Sequence, residues 1–232
     1  MVNFLQGALS SLGRKYVMAV TGLLLGTFIL LHAVGNSTLF QGKAALNAYA
    51  EQLHSLGLVI PLAELILLNI FLLHIIVGIS VFWFNRQAYG YGKRYAVQNS
   101  AGGETWGSRT MPWTGLALLA FLFLHLFNVR FVDSNLLIAD VVEQTLAHPV
   151  YILCYLGGIT ALILHASHGF WSLLQTLGVH HPRYNNLMQN GIRLLAALIC
   201  LVFFAVIAQC YGERCLVTSF STSSLFSAQN NS

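Results

Sequence analysis

Five apolar stretches, at approximately 15–40, 57–85, 110–131, 148–178 and 190–211, constrain this chain more than any other feature. Each is near or above the ~20 residues that a helix needs to cross the hydrocarbon of a bilayer. No period-2 alternation suggests a barrel. Charged residues are only 8% of the chain and mean hydropathy is +0.70, whereas soluble domains carry roughly 25% charged residues. A folded soluble protein needs a polar shell that this composition cannot supply. The expected fold is therefore an all-α integral membrane protein with five transmembrane helices. Residues 1–212 form the membrane domain, and residues 213–232 form a polar, disordered tail rich in Ser, Thr, Asn and Gln. The first run follows Arg14 and Lys15, is too long for a signal h-region and has no small-residue cleavage site after it, so no removable signal peptide is expected.

Basic residues set the expected orientation. With the N-terminus in the cytoplasm, the inner segments carry Arg14, Lys15, Arg86, Lys93, Arg94, Arg109, Arg183 and Arg193. The outer segments carry only Lys43, Arg130 and Arg214, which is eight against three. The basic balance thus speaks to topology and to membrane lipid. No patch is dense enough for nucleic acid, which is not an expected partner.

The chain also repeats itself. Met18-Ala-Val-Thr21-Gly22 is followed ten residues after the glycine by His32, and Met111-Pro-Trp-Thr114-Gly115 is followed at the same distance by His125, an offset of 93. In the next span of each half, His74 precedes Gly78 and His165 precedes Gly169 by four residues, an offset of 91. The first four spans therefore read as two copies of one hairpin, with a fifth helix added.

Nine histidines occur. His54, His148, His180 and His181 fall in loops or at helix ends and read as solvated or interfacial. His32, His74, His125 and His165 lie within spans, one per helix. An ionisable ring in hydrocarbon is costly and usually faces a partner inside the bundle. One such ring reads easily as structural; four matched by a repeat do not. Zinc would want carboxylate or thiolate companions in a tight tetrahedron, and these are missing. Haem iron takes two axial ligands on opposite faces, commonly histidine. Two haem b groups in a four-helix haem-binding bundle are the reading the residues favour, with Gly78 and Gly169 letting the flat ring approach.

Counting along each helix at ~1.5 Å per residue places His32 and His125 about 24–25 Å from the basic helix ends, and His74 and His165 about 18–20 Å from theirs. This pairs His32 with His125 around an outer haem and His74 with His165 around an inner one. The four histidines are the expected axial ligands of the haem iron. His168, three residues after His165, aligns with Val77 in the first copy and is kept as a pocket residue for a propionate or the quinone. Ser108 and Arg109 open the third span. Arg109, Arg14 and Lys15 are candidate propionate or quinone contacts, as are Arg86, Arg130 and Arg193, and each reads more simply as a charge anchoring the inner or outer end. Asn36 lies one turn beyond His32. Glu64 is the only acid within a span; a quinol proton acceptor and a snorkelling interfacial carboxylate are equal readings of it. No catalytic residue is assigned beyond that candidate. Cys154 and Cys200 fall in apolar runs and read as small buried hydrophobes. Cys210 and Cys215 would be placed for a disulfide if the C-terminal end is extracytoplasmic.

The segments Arg14-Lys15-Tyr-Val-Met-Ala-Val-Thr-Gly22 through His32-Ala-Val-Gly-Asn36, Ser108-Arg109-Thr-Met-Pro-Trp-Thr-Gly115 with His125, and His165-Ala-Ser-His168-Gly169-Phe-Trp-Ser-Leu-Leu-Gln175-Thr resemble the b558-type dihaem cytochrome b subunit of succinate dehydrogenase and fumarate reductase. The resemblance runs over roughly residues 8–212. It implies a membrane anchor with two bis-histidine haems in a bacterial cytoplasmic (inner) membrane, a flavoprotein subunit and an iron–sulfur subunit on the cytoplasmic side, and menaquinone or menaquinol as membrane substrate. A dimer of the whole complex is left open. The chain lacks a GxGxxG flavin motif and a cysteine cluster, so dicarboxylate chemistry would lie on the partners and this subunit would be only the quinone-reactive part of the oxidoreductase. In the fumarate reductase branch a glutamate two residues before the fourth-span histidine is tied to proton movement; here the position is Ile163, which puts that path in doubt. The cytochrome b subunit of a hydrogenase or formate dehydrogenase is the alternative reading.

Overall fold

A computed structural model describes residues 10–88, 106–132, 136–179, 181 and 183–229, excluding the side chains of 85, 88, 106, 108 and 213–229. Every regular element among the described residues is helical. Five helices are long and apolar enough to cross a membrane, over Ser11–Gln41, Val59–Phe84, Arg109–Val129, Pro149–Thr176 and Asn185–Gly212. These segments match the five apolar stretches to within a few residues.

Helix α1 (Ser11–Ser37) starts where the Ser10 side chain accepts a hydrogen bond from the Gly13 amide at 3.0 Å, which satisfies one of the orphan donors of the first turn. A 3-10 turn, Thr38–Gln41, leads into α2 (Lys43–His54), and α3 (Val59–Ala88) returns across the bilayer. Helices α4 (Trp106–Val129) and α6 (Pro149–Thr176) form the second hairpin, with the short α5 (Ile138–Thr145) between them. Pro149 opens α6 at a position whose N–H would be unbonded anyway. At its other end Gly178 takes φ 72°. There Val179 N–H reaches Leu174 C=O and Gly178 N–H reaches Gln175 C=O, the paired bonds by which a left-handed residue closes a helix. The last helix, α7, spans Asn185–Gln229. Its backbone is helical through residue 229, where the sequence reading expects a disordered tail from 213, and the side chains of that stretch lie outside the description.

The packing order defines a square. Within each hairpin α1 lies on α3 and α4 on α6; α1 also lies on α6, and α3 meets α4 only slightly. The diagonals are then α1 to α4 and α3 to α6, whose backbones have at most marginal contact. Helix α7 packs outside this square against α1 and α6. Large side chains point outward throughout, as Leu31, Leu58, Ile76, Phe123, Leu153 and Leu187 do, because lipid tails accept them as readily as a protein core does. The buried residues of α1, α4 and α6 are mostly small or polar: Ala19, Thr21, Ala33, Gly35, Thr114, Asn128, Gly158 and Ala161.

One end of the bundle is capped. Helices α2 and α5 pack over it, with Leu39, Leu46, Ala139, Leu146, Ile159, Val206, Ile207 and Cys210 forming one apolar cluster around Cys200. Asn47 Oδ1 accepts from the Ala139 amide at 3.0 Å and so caps the start of α5 from α2. Gln209 Nε2 donates to Leu39 C=O at 3.1 Å. Lys43 and Glu143 form an ion pair across the two cap helices. The opposite, basic end carries Arg14, Lys15, Arg86, Arg109 and Arg193 at the helix termini. Cys200 is buried as expected, but Cys154 is exposed on the lipid face, since an apolar thiol gains nothing from leaving hydrocarbon for protein. The Cys215 side chain, and with it the candidate disulfide, lies outside the described residues.

Candidate functional site

Each of the four in-span histidines meets a partner across a diagonal. His74 on α3 and His165 on α6 have ring centroids 6.4 Å apart at 68°. His32 on α1 and His125 on α4 stand 5.9 Å apart at 82°. Helix backbones along these diagonals hardly approach, so the imidazoles do the bridging. With two nitrogens each about 2 Å from one shared metal ion, ring centroids would stand about 6 Å apart. Both pairs have that spacing. No group of three or more His, Cys, Asp and Glu side chains converges as a metal-ion set among the described residues; the histidines meet in twos.

The two copies of the hairpin build the basic-end pair identically. Thr21 Oγ1 lies 2.9 Å from His74 Nδ1, and Thr114 Oγ1 lies 3.2 Å from His165 Nδ1. Each hydroxyl also reaches back to its own helix. Thr21 donates to Val17 C=O at 2.8 Å, with Met18 C=O at 3.2 Å. Thr114 stands 3.1 Å from the carbonyls of both Thr110 and Met111. Both threonines are buried, at 4% and 8% exposure. The following glycines form the wall: a Cβ on Gly22 would stand 3.5 Å from His74 Cε1, and one on Gly115 3.4 Å from His165 Cε1. Gly78 and Gly169, expected beside the rings, instead face Met18 and Met111. The sequence shows that glycines recur but not which of two helix faces each occupies.

Thr21 and His32 are eleven residues apart on α1, as are Thr114 and His125 on α4. At ~1.5 Å per residue the two pairs are therefore separated by about 16 Å along the bundle. Counting from the basic residues gives only a few ångströms, because Arg86 on α3 and Gly178 after α6 lie farther along the bundle than Lys15 on α1 and Arg109 on α4. Contacts between helices fix relative depth; charges at loose helix ends do not.

The cap-end pair is held unequally. Phe28 stacks on His32 at 5.5 Å and 18°, and Phe121 lies tilted on His125 at 5.9 Å and 31°. These phenylalanines sit one turn before each histidine and obey the 93-residue offset, so a Phe-x-x-x-His motif in each half carried a signal beyond the histidines themselves. Beyond this the symmetry fails. His32 Nε2 has Asn36 Nδ2 at 3.4 Å, and that amide also donates to His32 C=O at 2.8 Å. His125 Nδ1 has the Tyr155 hydroxyl at 3.3 Å. Under the two offsets Asn36 corresponds to Val129 and Tyr155 to Glu64. Asn128, one turn from His125 and 9% exposed, lies beside the Tyr155 hydroxyl.

The other candidates lie apart from the pairs. His168 packs against the first turn of α4, where a Cβ on Gly107 would meet His168 Nδ1 at 2.4 Å. Only a glycine admits the ring there, and the sequence alone does not mark it. Arg14 lays its guanidinium over the Phe84 ring at 4.0 Å. Lys15, Arg86, Arg109 and Arg193 are exposed at the basic end, and the Ser108 side chain is outside the description. Glu64 receives Arg130 Nε and Nη2, both at 3.1 Å, toward the cap end. His54 and His148 are exposed and His181 lies in the α6–α7 connection.

The fold and site together define a class: a helical membrane bundle with two edge-on imidazole pairs at different depths on its diagonals. The comparison with known proteins gives one further step. No family model matches the sequence. The chain is similar to the succinate dehydrogenase cytochrome b558 subunit of Bacillus subtilis (strain 168), at 24% identity over 163 residues, covering 66% of this chain and 73% of that one.

Proposed function

We propose that this chain is the dihaem cytochrome b anchor of a succinate:menaquinone oxidoreductase or quinol:fumarate reductase, passing electrons between a membrane quinone and an iron–sulfur subunit. The observation that carries the reading is the pair of diagonal imidazole contacts generated by a duplicated hairpin. His74 and His165 would hold one haem b, His32 and His125 the other. Bound there, the haem supplies one-electron transfer, and two centres stacked along the bundle make a path across the bilayer.

The residues fit such a group. The ring spacing suits two axial ligands on one metal. Small residues, imidazoles and the aromatic rings of Phe28, Phe121 and Tyr155 surround the pairs. The chain's own work is to orient the imidazoles, exclude water with α2 and α5, and present a basic end to partners. That end, with Arg14, Lys15, Arg109 and His168, is the inner face in this reading, and it receives the flavoprotein and iron–sulfur subunits. Glu64 remains the candidate for quinol protons, but its carboxylate must first leave Arg130.

Purification from membranes tests the proposal. Two haem b per chain, reducible by succinate through co-purifying flavin and iron–sulfur subunits, is the expected result. Absence of haem would overturn the reading, and one haem would break the pairing. A co-purifying nickel or molybdenum protein would move the chain to a hydrogenase or formate dehydrogenase.

A further inference from the structure

We propose that Thr21 and Thr114 are a two-fold-related pair of positioning residues that hold His74 and His165 with Nδ1 protonated and Nε2 open toward a metal. The inference rests on the dihaem reading above and adds residues to which that reading gave no role.

A threonine hydroxyl has one proton and two lone pairs. In a helix that proton commonly goes to the carbonyl one turn back, and both threonines have such carbonyls within reach, at 2.8 Å for Thr21 and 3.1 Å for Thr114. The hydroxyl oxygen then faces the imidazole as an acceptor, and the ring nitrogen against it carries hydrogen. The neutral ring has a single N–H, so its other nitrogen keeps the lone pair that a metal needs. A flipped ring would set a carbon against the threonine oxygen, so the same contact also selects the ring's orientation.

The arrangement occurs twice, on different helices, with the same atoms and one-turn geometry. It is confined to one pair: the cap-end histidines have Asn36 and Tyr155 instead. An outer partner that accepts from a ligating imidazole makes it a stronger donor, and its loss commonly weakens the site. A stronger donor favours the oxidised metal, so removing the hydroxyl raises the midpoint of that centre.

The test uses the assembled complex and follows each haem by redox titration and low-temperature EPR. The His74→Ala variant assigns which signal belongs to this pair. Thr21→Val and Thr114→Val, close in shape but lacking the hydroxyl, are each expected to raise the midpoint of that same haem and to leave the other unchanged. Thr21→Ser and Thr114→Ser are expected to restore the wild-type value. Where a Val variant fails to accumulate, the Ala variant removes the hydroxyl without adding a methyl and reads the same shift. Unchanged midpoints in both hydroxyl-free variants, or a shift in the other haem, would overturn the inference while leaving a two-haem protein intact. A wild-type protein without haem would instead sink the functional reading.

Discussion

The two imidazole pairs were built from the same duplicated hairpin, yet only one kept its symmetry. At the basic end both copies use the same devices: a threonine on the ring nitrogen, a glycine against the ring edge and a methionine facing a glycine on the next helix. At the cap end both copies keep the phenylalanine one turn before the histidine. One ring then meets an amide from its own helix and the other a phenol from the neighbouring helix. The difference teaches where the halves were free to diverge. Among the described residues, the basic-end pair meets side chains of the four bundle helices. The cap-end pair lies where α7 packs against α1 and α6 without a counterpart in the repeat, and where Tyr155 stands in place of Glu64, which instead pairs with Arg130.

The largest expected effect separates the pairs outright. On the dihaem proposal, His74→Ala and His165→Ala should each remove one and the same haem, halving the haem per chain; His32→Ala and His125→Ala should each remove the other. The check is the pyridine haemochrome content of the purified variants together with their EPR spectra. A variant in one pair that abolishes both signals would show that the centres are not independently held.

Crowding should then strike the cap end and spare the basic end. A Cβ at Gly158 would lie 2.3 Å from Phe121 Cγ, at the root of a ring that touches both His125 and Tyr155. A ring atom so close to the backbone cannot swing aside, so Gly158→Ala is expected to lower stability by about 1–3 kcal/mol, the usual cost of overpacking, and to disturb the cap-end signal. Gly22→Ala adds a methyl at ordinary contact distance from His74, 3.5 Å, and should be tolerated. Thermal denaturation in detergent compares the two; equal losses would remove the asymmetry.

Tyr155→Phe is a finer probe. It deletes a hydroxyl 3.3 Å from His125 Nδ1, a longer contact than the 2.9 Å of Thr21 to His74. A typical hydrogen bond contributes about 1 kcal/mol net, and this long one should contribute less. The cap-end haem should shift slightly in midpoint and the basic-end haem not at all. A larger shift than that of the threonine variants would reverse the order of support.

Much of this arrangement was legible in the sequence. The spans are set by hydropathy alone, and the depth count, with which the repeat agrees, couples the same histidines whose rings meet, His32 with His125 and His74 with His165. The supporting residues were harder to read for physical reasons. Thr21 and Thr114 stand in the repeated motif, but a helical threonine ordinarily satisfies itself on its own backbone, so nothing in the chain announces a second contact. Tyr155 and Asn128 have no counterpart in the first half, and Gly107 matters only because His168 comes from another helix. Pattern shows which residues recur; packing decides which of them touch.

The smallest expected effect concerns the cap itself. Lys43 and Glu143 join α2 to α5 with side chains 42% and 32% exposed. Solvent screens a pair of that exposure, so Lys43→Met should cost less than about 1 kcal/mol, and the loss should shrink further in high salt. The apolar cluster around Leu46, Ala139 and Leu146, together with the Asn47 cap on α5, would still hold the two helices together. Melting at low and high ionic strength, read beside the EPR spectrum, distinguishes two roles for the cap. If both haem signals stay in place while stability falls slightly, the cap only closes the end of the bundle. If the cap-end signal moves and the basic-end signal does not, the ion pair belongs to the environment that made the two histidine pairs unequal.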